Sequence, residues 1–124
     1  MPAATINVVR SNTILYCHLW DETVRFYRDG FGFAVSYQNE WFVELVVADG
    51  VCLSVADERR TSIRSAQGQG ITLTWQVPNL DAARESLLRR GLSPGAVRKH
   101  PWGARVCYLR DPEGHRVELW EPLQ

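Results

Sequence analysis

Residues 13–19 alternate apolar and polar positions, and residues 21–29 then switch to a spacing of three and four, with Val24, Tyr27 and Phe31 at i, i+3 and i+7. A strand followed by a short amphipathic helix is predicted, ended by Gly30 and Gly32. Residues 34–37, 41–48 and 51–56 return to alternation. The last two runs join at Asp49-Gly50, the dipeptide favoured in a type I′ hairpin turn.

The same order then recurs. Residues 71–77 read as a strand, and Asn79 is placed to cap a helix running to Arg90. Leu80, Ala83, Leu87 and Leu88 form that helix's apolar stripe, and Gly91 closes it. Residues 96–100, 105–109 and 115–121 complete the pattern as strands. Each half is therefore strand–helix–strand–strand–strand, an internal duplication. The first module covers about 12–57 and the second about 71–121, within a single domain. Residues 58–70 between them, polar and rich in Gly and Gln, read as a linker or mobile loop.

A four-stranded sheet with one helix has one face covered and one open. The duplication supplies a second sheet, so the expected α+β architecture is two βαβββ modules curving as mixed sheet around a cleft. In the fifth strand Trp75 and Val77 belong to the helix-facing set, Thr74 and Gln76 to the cleft-facing set.

The closing hairpin carries the densest chemistry. Its two strands are joined by Asp111-Pro112-Glu113-Gly114, with Asp opening a type I turn, Pro next with φ already set, and Gly last. On the return strand Val117 and Leu119 point one way, Arg116, Glu118 and Trp120 the other. A carboxylate thus lies between a guanidinium and an indole.

The 124 residues fit one domain, and 14 basic residues balance 14 acidic ones. That balance argues against nucleic acid or an anionic membrane as partner. Arg59-Arg60 and Arg89-Arg90 read as solvated pairs. No apolar run resembles a signal peptide or a membrane span. Cys17, Cys52 and Cys107 lack paired spacing and sit in apolar strands, as reduced core thiols do, so a cytoplasmic location is expected.

The segment Trp102-Gly103-Ala104-Arg105, then Leu109 to Leu119 through the Asp-Pro-Glu-Gly turn, resembles the closing hairpin of the vicinal oxygen chelate superfamily. That group includes glyoxalase I, bleomycin resistance proteins and extradiol dioxygenases. Residues 12–33, with Phe26-Tyr27 near the helix end and a Gly-Phe exit, resemble its opening. The resemblance covers roughly residues 12–121. It implies a ligand cleft, often completed by a second chain, hence a homodimer.

Metal-dependent members of that superfamily place His, Gln or Glu on the first and last strand of each module. The corresponding positions here are Asn12, Leu53, Thr72 and Glu118, of which only Glu118 ligates a divalent ion well. His115 and Glu118 point to opposite faces. His18 and His100 sit at strand ends and read as solvated or locally hydrogen-bonded, with the cleft mouth as their alternative place. No metal and no other cofactor is therefore expected.

What remains is an aromatic and apolar wall with a few polar anchors: Asn12, Tyr16, Trp41, Leu53, Thr72, Thr74, Trp102, Arg116, Glu118 and Trp120. The resemblance to the metal-lacking, bleomycin-resistance-like branch implies sequestration of a hydrophobic or aromatic small molecule. The alternatives are a glyoxalase-type metal-dependent lyase, isomerase or dioxygenase, and a metal-free isomerase with Glu118 as base. Glu118 is otherwise expected in a structural pair with Arg105 or Arg116, or as an anchor for a cationic ligand.

Overall fold

The computed structural model describes residues 3–123. The first module is β1 (Ser11–Cys17), α1 (Trp20–Arg25), β2 (Ala34–Gln38), β3 (Phe42–Ala48) and β4 (Val51–Asp57). The second is β5 (Thr72–Gln76), α2 (Leu80–Arg89), β6 (Arg98–His100), β7 (Ala104–Arg110) and β8 (Arg116–Pro122). No helix among the described residues is long and apolar enough to cross a membrane.

Each module forms its own four-stranded sheet, ordered β1-β4-β3-β2 and β5-β8-β7-β6. The first strand runs parallel to the last, and the other neighbours are antiparallel. A parallel neighbour requires a crossover, and the helix provides it. The fold class expected from the alternation is the one observed, as two separate sheets.

The helix-covered sides of both sheets share one core. Leu15, Val43, Leu53 and Val55 of the first module and Leu73, Val117 and Leu119 of the second belong to a single cluster with Tyr27, Leu80 and Leu87. The modules therefore adjoin by their covered sides, and a single chain does not close a cleft between the two open faces.

This core corrects the expectation for Leu53. The side chain is buried among apolar neighbours and faces the helix side. Parallel pairing sets Ser54 opposite Ile14, as it sets Glu118 opposite Thr74. Ser54 is thus the counterpart of Glu118, and the one-residue slip reverses the face.

The Asp49-Gly50 turn also departs from expectation. Gly50 has φ of +74°, but Asp49 is not among the residues of positive φ, as a type I′ turn would require. A register shift between Val46 and Ala48 absorbs the strand twist instead.

The first helix is short because its sequence turns into one wider turn, Phe26–Gly30. It lacks a side-chain cap of its own. Glu113, from the far end of the chain, fills that role: its carboxylate accepts from the backbone N–H of His18 at 2.8 Å and of Leu19 at 2.7 Å. Beside it, Asp111 Oδ2 accepts from Tyr27 Oη at 2.7 Å and pairs with His115 Nδ1 at 2.8 Å. Asp111 Oδ1 takes the N–H groups of Gly114 and His115, both at 2.9 Å. Burial, with Asp111 alongside, pushes the Tyr27 phenol well above its ordinary value and keeps it a donor. His115, expected as an ordinary turn residue, is a buried part of this joint.

The connecting segment is tied to the same turn. Ser65 Oγ bonds Glu113, Ser65 N donates to Glu58 Oε1 at 2.9 Å, and a Cβ on Gly68 would lie 2.2 Å from Gly114. Ser65 and Gly68, within the segment read as a linker or mobile loop, thus lie against the turn of the second module.

Asp111→Ala should cost on the order of 3–5 kcal/mol, because it strands several buried donors at once. Tyr27→Phe should cost roughly 1.5–3 kcal/mol, one bond to a charged acceptor. Urea unfolding midpoints at constant slope check both.

Candidate functional site

Two open sheet faces carry the candidate chemistry. On the first module, Asn12, Ile14 and Tyr16 of β1 share a face with Cys52, Ser54 and Ala56 of β4 and with Phe42 and Glu44 of β3. Glu44 is the hub. Its carboxylate pairs with Arg10 Nη2 at 2.6 Å and accepts from Ser36 Oγ at 2.7 Å and Asn12 Nδ2 at 3.5 Å. Ser54 Oγ donates to Asn12 Oδ1 at 2.9 Å, and Arg10 Nη2 reaches Cys52 Sγ at 3.1 Å. Arg10 and then Ser36 hold the Glu44 carboxyl below the usual carboxylate range. At the other end of this face Tyr16, Trp41 and Phe42 meet Arg60–Ile63 around a hollow of about 380 Å³.

On the second module, Thr72 and Thr74 of β5 lie beside Arg116 and Glu118 of β8, and Glu118 lies opposite Tyr108 of β7. Thr74 Oγ1 donates to Glu118. The Arg116 guanidinium donates to Thr72 Oγ1 at 3.0 Å and lies 4.8 Å over the Tyr108 ring. Tyr108 Oη meets His100 Nε2 at 2.9 Å. His100 stacks on Trp102 at 5.7 Å, and Trp102 meets Trp120 edge-on at 5.8 Å. Partial burial, then the neighbouring Glu118 carboxylate, raises the Tyr108 phenol above its ordinary value, against Arg116. Phenol, carboxylate and guanidinium therefore share one surface with three aromatic rings.

The ten expected site residues divide between these places. Thr72, Thr74, Trp102, Arg116, Glu118 and Trp120 come together on the second face, while Asn12, Tyr16 and Trp41 lie on the first. Leu53 is in the core. No hydrogen bond, ion pair or aromatic pair among the described residues joins the two faces. The expected pairing of Glu118 with Arg105 or Arg116 is not made: Arg105 binds Asp81 and Glu121, and Arg116 binds Thr72. His18 pairs with Glu58 at 3.1 Å.

Sequence reasoning passed over Glu44, Arg10 and Tyr108. Alternation would have found two of them, since Glu44 lies between buried Val43 and Leu45 and Tyr108 between buried Cys107 and Leu109. Arg10 precedes its strand and carried no periodic cue.

A divalent ion does not fit these donors. No group of three or more His, Cys, Asp or Glu among the described residues stands together. Thr74 beside Glu118, and Ile14 and Ser54 at the corresponding positions of the first module, offer at best neutral hydroxyls. Glu44 is neutralised by Arg10, and Glu118 is engaged by Thr74.

The profile of the Glyoxalase/Bleomycin resistance protein/Dioxygenase superfamily matches residues 11–119. The chain belongs to this superfamily. The Bacillus subtilis (strain 168) uncharacterized protein YraH is 25% identical over 116 residues, covering 82% of this chain and 89% of YraH. The lactoylglutathione lyase of Agrobacterium tumefaciens is 21% identical with a TM-score of 0.72, over 98% of this chain and 96% of that one. TnmS3, an antibiotic binding protein from Streptomyces sp. CB03234, is also 21% identical, with a TM-score of 0.74 over 98% and 99%. These two structures share the fold, one belonging to an enzyme and one to a binding protein. Membership in this superfamily supports a general small-molecule binding or enzymatic role.

The lowered carboxyl of Glu44 means its network stabilises the fold above the carboxylate range and fades as pH falls through it. The stability gap between wild type and Glu44→Gln should therefore shrink from neutral pH to about pH 3, as read from thermal unfolding across that range.

Proposed function

We propose that the protein binds and sequesters a planar aromatic or hydrophobic small molecule, without a metal, on the open face of the second module. The observation that carries this reading is the run of rings Trp120–Trp102–His100–Tyr108, flanked by Arg116 and Glu118. Indoles and imidazole offer flat apolar area at small entropic cost, while the carboxylate and guanidinium orient a polar substituent. Trp102, 61% exposed, is open to stacking. Thr74 and Thr72 hold the two charged groups, so the anchors are ordered in advance. The likeness to an antibiotic binding protein supports this choice, and the poor donor set for a divalent ion weighs against the metal-dependent alternative.

In this reading the ligand is enclosed by a second copy. The first-module face, with Asn12, Tyr16 and Trp41, is left open in the single chain and supplies the opposite wall in a homodimer. The three free, buried thiols suit a reducing, cytoplasmic setting.

One observation favours a second reading. Glu118, Tyr108 and His100 form a line of proton-bearing groups, with Glu118 oriented by Thr74. Such a line suits a metal-free isomerase in which Glu118 takes a proton from bound substrate.

Titration with a panel of planar aromatic compounds should quench tryptophan fluorescence for one chemical class, with affinity unchanged by a chelator. Trp102→Leu should weaken that binding by roughly tenfold, the value of one stacked ring. A flat response across the panel, or a near-stoichiometric divalent ion in protein purified without added metal, overturns sequestration. Glu118→Gln that abolishes conversion of the bound compound while leaving its affinity intact would establish the isomerase instead.

A further inference from the structure

The chain as a whole is electrically balanced, with 14 basic and 14 acidic residues, but its second open face is not. Arg116 and Glu118 of β8 stand opposite Arg110 and Tyr108 of β7, and Arg98 of β6 stands opposite Val106 of β7. Residues directly opposite on an antiparallel pair share a face, so three guanidiniums lie on this side with one carboxylate.

Elsewhere on the surface Arg is matched with acid: Arg10 with Glu44, Arg59 with Asp57, Arg89 with Glu85, and Arg105 with Asp81 and Glu121. None of Arg98, Arg110 and Arg116 forms an ion pair among the described residues. Arg110 Nη1 donates to Gly114 O at 2.8 Å and Arg116 Nε to Thr72 Oγ1 at 3.0 Å, both neutral acceptors. Arg110 and Arg116 are also direct cross-strand partners. Like charges set opposite one another destabilise a strand pair, so folding gains nothing from this placement.

Between this pair and the start of β5 lies a hollow of about 380 Å³, lined by Arg110, Arg116, Thr72 and residues 67–71. Its remaining wall, Gln67-Gly68-Gln69-Gly70-Ile71, is neutral and leaves the two guanidiniums unbalanced. The positive field extends to the rings. Partial burial and Glu118 raise the Tyr108 phenol, while Arg116 and Arg98 act against them. The Arg116 guanidinium lies 4.8 Å over that ring. Along β8 it stands four residues, about 13 Å, from Trp120, a span that a fused-ring molecule with a short substituent covers.

We propose that the ligand of the second open face is an acid: a planar aromatic body on the rings, with a carboxylate substituent held between Arg110 and Arg116 beside the turn at 67–70. The inference rests on the binding site of the proposed function and names the class of compound it takes. A carboxylate accepts from two guanidiniums at once, and each of these keeps further N–H donors. Its arrival removes the repulsion between the pair. Glu118, already engaged by Thr74, repels an acid and so directs it to the arginine end of the face.

Calorimetric titration of the full chain with anthracenecarboxylate and its neutral isostere anthracenecarboxamide tests this. The carboxylate should bind about tenfold more tightly at low salt, two exposed ion pairs acting on one acid group. That preference should fall to about twofold in half-molar sodium chloride. Arg110→Gln with Arg116→Gln should bring the carboxylate down to the carboxamide's affinity, whereas Arg110→Lys with Arg116→Lys should keep most of the preference, because the charge is retained. Should the Gln pair disturb the fold by circular dichroism, the salt dependence of the wild type decides alone. A carboxamide that binds as well as the carboxylate overturns the inference and leaves sequestration standing. So does a preference that survives the Gln pair or the salt, since the charge is then read elsewhere. Where neither probe binds, the class that quenches tryptophan in the aromatic panel decides: acids uphold the inference, neutral or cationic compounds overturn it, and no class at all removes sequestration with it.

Discussion

Asp111, buried in the turn of the closing hairpin, holds Tyr27 from the opposite module, the ring of its own neighbour His115, and two backbone N–H groups. Two residues on, Glu113 caps the first helix through His18 and Leu19. A four-residue turn therefore binds the end of the chain to its beginning. A buried carboxylate is tolerable only when its lone pairs are filled, and filling them demands Tyr27, hence the wide turn Phe26–Gly30 that carries it. The relative setting of the two sheets follows from this joint, and with it which faces are covered and which are open.

With the covered sides joined, each module presents a bare sheet face, and the two bare faces differ in chemistry. The first is organised around a neutralised carboxylate, Glu44 against Arg10. The second combines aromatic rings with an engaged but solvent-reachable carboxylate, Glu118, and a guanidinium held over a phenol. Duplication preserved the geometry of the positions and let their side chains diverge. Where the registers coincide, Ser54 stands for Glu118 and Ile14 for Thr74. Such a pair of faces suits an organic ligand better than a cation, since a cation needs several donors at one point.

The free edges carry a similar logic. β1 and β5 each have a single neighbour, and an unpaired strand edge invites another strand.

Alternation and helical spacing by themselves determined the order of elements, the duplication and the shared face of Thr72, Thr74, Arg116, Glu118 and Trp120, because those properties depend only on neighbours two to four positions away. The Asn79 cap of the second helix was equally legible, with its side chain accepting from Ala82 N at 3.0 Å. Leu53 was misplaced because period two defines two faces without saying which is outward; only the pairing of β4 with β1 supplies that phase. The partnership of Tyr27 with Asp111, the capping of a helix by Glu113 from 94 residues away and the hub at Glu44 were decided by tertiary structure. Each joins groups far apart in the chain, and local spacing carries no information about which distant donors a buried carboxylate will meet.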